Sequence, residues 1–254
     1  MIDEKVLLGC PLHFERALIY PPKVKDIVEE ENSFLYLSLL TETQESMDEQ
    51  FKDATDDKGQ PIDMPTPFQF ILANAYADEE KNELFRKAFS FFLKEDVTIL
   101  PEQEVIIIGD LEKEVEKMED VSDLRLITSD NFPLFQNQIR LSMGEKPIKK
   151  EEVQDEDPRI RRMKAKARYR EKIAAKKRMK EGKTLSFGTK LTAICCMGIG
   201  LTPLNIGEIT YASANWLFQV FQNKEDYGIS VQSLMAGATV NNGSAPKYWI
   251  RNLD

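Results

Sequence analysis

Residues 66–93 of this 254-residue chain read TPFQFILANAYADEEKNELFRKAFSFFL, and this stretch indicates a mainly α-helical fold. Apolar residues recur three or four positions apart in two sets, Phe68, Ile71, Leu72 and Ala75, and then Leu84, Phe85, Ala88, Phe89 and Phe92. Residues at this spacing share one face of a helix, so the pattern predicts two amphipathic helices with buried apolar faces. Thr66-Pro67 is a typical helix start, and a charged turn at 78–81 separates the two helices.

A short β-hairpin is predicted directly after these helices. Residues 97–100 and 105–108 are β-branched runs, VTIL and VIII, with a proline between them. Apolar spacing predicts one or two further helices within 24–40 and another over 131–141, with Asn131 or Ser129 as its cap. We therefore expect residues 1–143 to form an acidic helical domain with a minor hairpin near 97–108.

Charge divides the chain into three parts. Residues 159–183 contain 13 Lys or Arg and two Glu, which gives this segment a charge of +11. Because the whole chain has a formal net charge of -9, the other residues together carry -20. Asp157-Pro158 and Gly182 are typical start and stop signals, and good helix formers fill the residues between them. We therefore expect 144–183 to be a charged linker followed by a long basic helix.

Residues 184–254 are predicted to form a compact C-terminal helical domain. Apolar spacing favours a helix that ends at Gly198 and an amphipathic helix over 210–223. A further short helix is predicted at 231–236, separated from the preceding one by Gly228. The predicted fold is thus mainly α, with two small helical domains joined by a long basic helix.

The sequence contains no pattern that demands an active site. His13 is the one histidine, and Cys10 lies three residues from it, but no oxyanion-binding or orienting motif accompanies them. Cys195 and Cys196 lack the spacing of a zinc pair, so we expect buried thiols. Gly198-Ile199-Gly200 lacks the Lys and Ser/Thr of a phosphate loop, and a helix end followed by a turn is favoured. We expect no enzymatic activity, no cofactor and no metal.

Cysteine usage and hydropathy indicate the compartment. Three cysteines do not make a disulfide framework, and an odd count in a highly charged chain favours a reducing environment. The start of the sequence lacks the pattern of a secretory signal. The apolar stretch near 194–201 is interrupted by glycines and is too short to cross a membrane. We therefore expect the cytoplasm of the cell that makes the protein, with no membrane association.

The basic segment leaves several kinds of partner open. Lys and Arg side chains would suit the phosphates of nucleic acid. Tyr169 is the one aromatic residue of the segment, and the remaining charge of -20 would repel phosphate, so a spacer or a contact with an acidic protein surface is favoured. The candidate partner-binding residues are Arg161, Arg162, Lys164, Arg168, Arg170, Lys176, Lys177 and Arg178 in the basic segment, and Trp216, Phe221 and Trp249 in the C-terminal part.

Short motifs lie at both ends of the chain. Near the C-terminus they are Leu191-Thr-Ala-Ile-Cys-Cys-Met-Gly-Ile-Gly, Leu204-Asn-Ile-Gly-Glu-Ile-Thr-Tyr, Lys224-Glu-Asp-Tyr, Ser233-Leu-Met-Ala-Gly-Ala and Tyr248-Trp-Ile. Near the N-terminus they are Gly9-Cys-Pro-Leu and Ile19-Tyr-Pro-Pro-Lys-Val-Lys-Asp-Ile. This set resembles the tail assembly chaperones of bacteriophages that infect Gram-positive bacteria. The resemblance implies that the chain binds the helical tape-measure protein while the tail tube protein polymerises around it, and it brings no catalytic residue.

The resemblance sets the order of the functional hypotheses. The first is a chaperone that binds the tape-measure protein or tail tube subunits in the host cell cytoplasm, with a homo-oligomer as a further possibility. Because the basic linker is longer than expected for this class, the second is a structural component of the virion, in the neck, tail or baseplate. The third is a nucleic-acid-binding regulator that uses the basic helix.

Overall fold

The computed structural model describes residues 4–50, 65–109, 124–148, 163, 170 and 185–237. Over these ranges the chain is mostly helical with two small antiparallel sheets, which confirms the mainly α class. The helices are α1 (Glu4–Leu7), α2 (Val24–Glu29), α3 (Ser33–Leu40), α4 (Gln44–Gln50), α5 (Pro67–Ala77), α6 (Glu79–Leu93), α7 (Phe132–Ser142), α8 (Phe187–Cys195) and α9 (Tyr211–Met235). The strands are β1 (Leu12–Phe14), β2 (Ala17–Ile19), β3 (Val97–Leu100), β4 (Val105–Ile108) and β5 (Leu126–Ile127).

Helices α5 and α6 form as predicted, and side chains fix their starts. The Thr66 hydroxyl accepts a hydrogen bond from the Gln69 N–H at 3.2 Å, and Gln69 Oε1 accepts one from the Thr66 N–H at 3.0 Å. This reciprocal pair satisfies two backbone donors that a helix start would otherwise leave unbonded. Asp78 ends α5 and caps α6, because its carboxylate accepts from the Glu80 N–H at 3.0 Å.

The two sheets differ in how well the sequence predicts them. Strands β3 and β4 pair antiparallel from Val97 with Ile108 to Leu100 with Val105, so the predicted hairpin is confirmed. Strand β5 adds to β4 as a third strand, which the sequence analysis did not predict. It also missed the β1–β2 hairpin, which turns through Glu15 and Arg16. Glu15 has a φ of 48°, a conformation that a sequence pattern without glycine does not signal.

Seven phenylalanine side chains lie in the main core. Phe135 of α7 packs edge-on against Phe14 of β1, with ring centroids 5.2 Å apart, and lies 5.3 Å from Phe89 of α6. Phe68 of α5 contacts Phe132 at 5.2 Å. These rings are all buried, and such pairs add stability beyond the area they remove from water. The core is therefore built by residues from both predicted helices, the β1–β2 hairpin and α7.

The C-terminal elements pack on the N-terminal ones. A second buried cluster joins one residue of α2 to four residues beyond 190, and its members are Val24, Ile194, Ile206, Ala214 and Phe218. Ala212 of α9 lies in the main core itself. The division into domains at 1–143 and 184–254 stays a prediction, and in the described residues these two parts contact each other. Of the predicted basic helix, residues 163 and 170 are described, and both are helical and exposed.

The prediction of a break at Gly228 and a separate helix at 231–236 is wrong. Helix α9 runs without interruption from Tyr211 to Met235. A glycine inside a helix costs about 1 kcal/mol relative to alanine, which weakens a helix without ending it when good hydrogen-bonding geometry continues on both sides. The helix ends at Met235, and Gly237, two residues later, has a φ of 89°, outside the helical region.

Candidate partner-binding surface

The structure brings one N-terminal motif and one C-terminal motif together at one place, which we call the junction (residues 19–27 and 204–211). The Val24 N–H donates to the Ile209 carbonyl at 2.9 Å, and the Tyr211 N–H donates to the Pro22 carbonyl at 2.9 Å. Lys23 and Thr210 form an antiparallel β-bridge between these bonds. Backbone pairing therefore joins two segments that lie more than 180 residues apart along the sequence.

Local sequence explains why each segment suits this pairing. Pro21 and Pro22 fix an extended backbone before α2, and Pro22 offers a carbonyl acceptor while it lacks an N–H donor. On the other side, Ile209 is extended after a 3₁₀ turn over Ile206–Glu208. The turn approaches α2 closely, since a Cβ at Gly207 would lie 3.4 Å from the Lys25 Cβ. A larger side chain at 207 would press directly on α2.

Thr210 is the polar centre of the junction. Its buried hydroxyl caps α9 by accepting from the Ser213 N–H at 3.0 Å, and it lies 3.2 Å from the Val6 carbonyl oxygen. The Ser213 hydroxyl donates to the Leu7 carbonyl at 2.7 Å. The bond from Ser213 satisfies the Leu7 carbonyl at the end of α1, and the Val6 carbonyl also accepts from the Gly9 N–H at 3.1 Å. Gly9 has a φ of 74°, which favours glycine, and a Cβ added there would lie 3.4 Å from the Thr210 Cγ2.

An ion pair spans the exposed edge of the junction. Glu208 accepts from Lys23 at 2.8 Å and from Lys25 at 2.9 Å. The hydrogen bonds from Lys23 and Lys25, with their positive charges, lower the pKa of Glu208 from its ordinary value of 4.5 to about 2. The bond to Glu208 also raises the pKa of Lys25. All three side chains are exposed, so solvent screens the attraction and the pairs contribute orientation more than stability.

Aromatic rings cover the other side of the junction. The Tyr211 ring lies 5.7 Å from Phe34 of α3 and 5.3 Å from Phe187 of α8. Burial raises the pKa of Tyr211 above its ordinary value, although a hydrogen bond to Asn215 acts in the opposite direction. Phe34 keeps 47% of its surface exposed, and Leu185, two residues before Phe187, keeps 52%. The ring cluster therefore continues to the surface as apolar side chains.

The loop between α8 and the junction (residues 196–205) exposes an apolar side chain to solvent. Leu204 is 98% exposed, the largest exposed fraction among the large hydrophobic residues described. The loop is nevertheless ordered by Asn205, whose Oδ1 accepts from the Thr202 N–H at 2.7 Å and whose Nδ2 donates to the Gly200 carbonyl at 3.1 Å. Ile199 of the same loop is 48% exposed, so this ordered loop presents two apolar side chains to solvent.

The helix end before this loop agrees with the sequence analysis. Helix α8 ends at Cys195, and Gly198 and Gly200 have φ values of 70° and 83°. The Gly198-Ile199-Gly200 segment is thus a helix end followed by a turn, as expected. The prediction of two buried thiols is wrong for Cys196, which is exposed because it lies at the end of α8, while Cys195 is half-buried.

Helix α9 carries two of the predicted partner-binding residues out of the junction. Its first turns bury Ala212, Ser213, Ala214 and Phe218. None of the residues from 219 to 235 is buried, and we call them the projecting part. Trp216 and Phe221 are both half-buried. The structure thus places them on one helix with part of each ring open to solvent.

Most of the other predicted partner-binding residues lie outside the described residues. Arg170 is helical and exposed, which agrees with a solvated basic helix at that position. The residues for which the structure gives no description are Arg161, Arg162, Lys164, Arg168, Lys176, Lys177, Arg178 and Trp249. Their assignment therefore stays a prediction.

Cysteine, histidine and acidic side chains are the candidates for catalysis or metal binding among the described residues. Cys10 and His13 are both exposed, on either side of the start of β1. Among residues 4–50, 65–109, 124–148 and 185–237, no three His, Cys, Asp or Glu side chains gather as a metal site would require. In the same part of the chain, no helix has both the length and the hydropathy needed to cross a membrane.

Comparisons with known proteins give no assignment. No family model matches the sequence, and no curated protein and no solved structure matches it. The surface therefore has to be interpreted from its own residues.

Sequence reasoning identified the residues of the junction but not their contact. The motifs that contain Pro22 and Glu208 were noted, yet no local pattern indicates that they pair, because a β-bridge between distant segments has no sequence period. The available signal was the pair of prolines followed by Lys-Val-Lys, an extended segment with two cations, together with the acidic Glu208 in an otherwise uncharged stretch.

Proposed function

We propose that this chain is a non-enzymatic phage tail assembly chaperone that binds the tape-measure protein, or tail tube subunits, in the host cell cytoplasm. The observation that carries the proposal is the junction, where one N-terminal and one C-terminal motif of the resemblance meet, with the exposed Leu204 at the start of the C-terminal one. Motifs from distant parts of a chain that converge on one exposed surface are better explained by a shared partner than by separate local roles.

The chemistry of this surface suits an apolar helical partner. Leu204 and Ile199 expose apolar side chains on one loop, with 98% and 48% of their surfaces accessible. Lys23, Lys25 and Glu208 lie beside the loop as a charged rim. An apolar contact bordered by charges is the usual composition of a protein interface, in which the charges steer the partner and the apolar groups hold it.

The basic segment completes the proposal. We propose that residues 159–183 form a basic helix between two helical parts and that its charge of +11 attracts acidic faces of the partner. The helical, exposed state of Arg170 supports this arrangement. In this proposal the basic residues control the rate of encounter, whereas the loop around Leu204 provides the contact itself.

Co-purification of the tape-measure protein encoded in the same genome tests the proposal. Leu204→Glu should abolish capture of the tape-measure protein without loss of stability, because a fully exposed side chain contributes little to folding. Leu134→Glu is the matched control, since Leu134 is 48% exposed on α7, outside the loop and the junction, and it should retain capture. Normal capture by Leu204→Glu would contradict the assigned surface.

The composition of purified virions tests the class of function. A chaperone acts during assembly and should be absent from mature particles, whereas a structural component should be present in a fixed copy number. Detection of the chain in virions by quantitative mass spectrometry, at a constant ratio to tail tube protein, would contradict the chaperone proposal and favour the neck, tail or baseplate.

A further inference from the structure

Helix α9 carries a repeat that begins at Leu217, which packs partly against the second buried cluster, and continues through the projecting part. From Leu217 onwards its positions are three and four residues apart in turn, which is the spacing of positions a and d in a coiled coil. The residues of this seam are Leu217, Val220, Lys224, Tyr227, Val231 and Leu234. Lys224 is exposed and the other five are half-buried. The seam therefore lies along one face of α9 and keeps accessible surface at every position.

The order of residue types along the seam is nearly the same from either end, with leucine and valine at both ends and Lys224 and Tyr227 in the middle. In an antiparallel pair of α9 helices, Leu217 faces Leu234 of the second copy and Val220 faces Val231 of the second copy. In the central layer the Lys224 ammonium faces the ring of Tyr227 of the second copy, a favourable cation–π arrangement. A two-fold symmetric interface requires such self-complementarity, because the same surface must fit itself. The seam thus points to a second copy of this chain as the occupant.

Gly228 gives a second, independent argument. Glycine is unfavourable inside a helix, and alanine would be preferred unless something needs the space. A Cβ at Gly228 would meet nothing within 4 Å, so packing within the chain does not require glycine. In the antiparallel pair Gly228 and Phe221 of the second copy flank the seam on the same side, about 3 Å apart along the axis at about 1.5 Å per residue, and the missing side chain leaves room for the ring. The pairing therefore explains a glycine that the single chain does not.

We propose that this chain self-associates through α9, which pairs antiparallel with α9 of a second copy about a two-fold axis between Glu225 and Asp226. The seam from 217 to 234 is about 26 Å long at about 1.5 Å per residue. In this pair the last residue of each helix, Met235, lies level with Trp216 of the second copy, within the buried part of that helix. This surface is separate from the loop around Leu204, so the proposal is independent of the proposed function.

Sedimentation velocity of the full chain over a wide concentration range tests self-association. The wild type should show a reversible monomer–dimer equilibrium. Val231→Glu should raise the dissociation constant at least about tenfold, because it places an unpaired charge in the seam. Ile229→Glu is the matched control, since Ile229 is 59% exposed outside the seam, and it should leave the equilibrium unchanged. A wild type that is monomeric throughout, or equal weakening by both variants, would overturn the proposal.

Substitution of Gly228 tests the role of the missing side chain. Alanine favours the helix, so Gly228→Ala should strengthen or preserve an association in which the space has no function. The proposal expects the reverse, with association weakened several-fold by Gly228→Ala and lost in Gly228→Leu, while circular dichroism shows no loss of helix. Association that is unchanged or stronger in both variants would contradict the packing of Phe221 against Gly228.

Disulfide trapping tests the antiparallel orientation. In a background where the native cysteines are replaced by serine, Val220→Cys and Val231→Cys are made in separate chains. Two copies of residue 220 would lie about 16 Å apart along an antiparallel pair at about 1.5 Å per residue, too far for a disulfide. Oxidation should cross-link the mixture and neither variant alone. Efficient cross-linking of Val220→Cys with itself would indicate a parallel pair and overturn the proposal.

Discussion

The two parts of α9 both carry apolar residues at helical spacing, but their surroundings differ. Residues 211–218 are held by the cap at Thr210 and bury Ala212 in the main core and Ala214 and Phe218 in the second cluster. Residues 219–235 continue the same helix without a buried side chain. Amphipathic spacing alone therefore shows that a helix has an apolar face, while distant segments of the chain decide whether that face belongs to a core or to a surface. The following predictions test this difference.

Truncation of a phenylalanine in each part gives the largest expected difference. Phe218→Ala should lower the free energy of unfolding by about 3 to 5 kcal/mol, because Phe218 is 6% exposed and fills the second buried cluster. Phe221→Ala, three residues further along, should cost about 1 kcal/mol or less, since its ring is half-buried. Urea denaturation at low protein concentration measures both. Equal losses would mean that the two parts are packed alike.

Removal of a hydroxyl from each part gives a smaller difference. Thr210→Ala should cost about 1 to 2 kcal/mol, because the cap of α9 and the contact with the Val6 carbonyl are lost together. Ser230→Ala should change stability by less than about 0.5 kcal/mol, since its exposed hydroxyl bonds only within the helix, to the Asp226 carbonyl. A Ser230→Ala loss as large as that of Thr210→Ala would contradict the account.

Lowering the pH should give the smallest change in stability, and this change comes from Glu208 at the junction. The pKa of Glu208 is lowered from 4.5 to about 2 in the folded chain. The contribution of Glu208 to stability is therefore complete above pH 4.5 and is lost as the pH falls from about 4.5 to about 2. Glu208→Gln should make stability less dependent on pH across this window, and added salt should reduce the difference. Identical pH profiles for the two chains, measured by urea midpoints, would refute the ion pair.

Local patterns predicted the elements that depend on local forces. The apolar repeat and caps of α5 and α6 specify those helices within the sequence itself, and the β-branched runs around Pro101 specify the β3–β4 hairpin. The β1–β2 hairpin has short strands and a turn with positive φ at Glu15, so its stability comes from the core beneath it. The predicted break at Gly228 was wrong because one glycine inside a helix costs only about 1 kcal/mol, which is too little to end the helix.

The candidate surface was predicted only in part, because its residues meet through tertiary contacts. Trp216 and Phe221 could be assigned to an amphipathic helix from their spacing. The exposure of Leu204 could not be predicted, since it depends on the bonds that Asn205 makes within the loop. The pairing of Val24 with Ile209 was equally hidden, because backbone hydrogen bonds carry no side-chain signature.

Hydrogen exchange of α9, followed by mass spectrometry at low and high protein concentration, tests the central claim most directly. The account predicts that amides from 213 to 218 are strongly protected at both concentrations, because the folded body buries them. Amides from 222 to 235 should be weakly protected at low concentration and become protected as concentration rises. Equal protection of both parts of α9 at every concentration would contradict it.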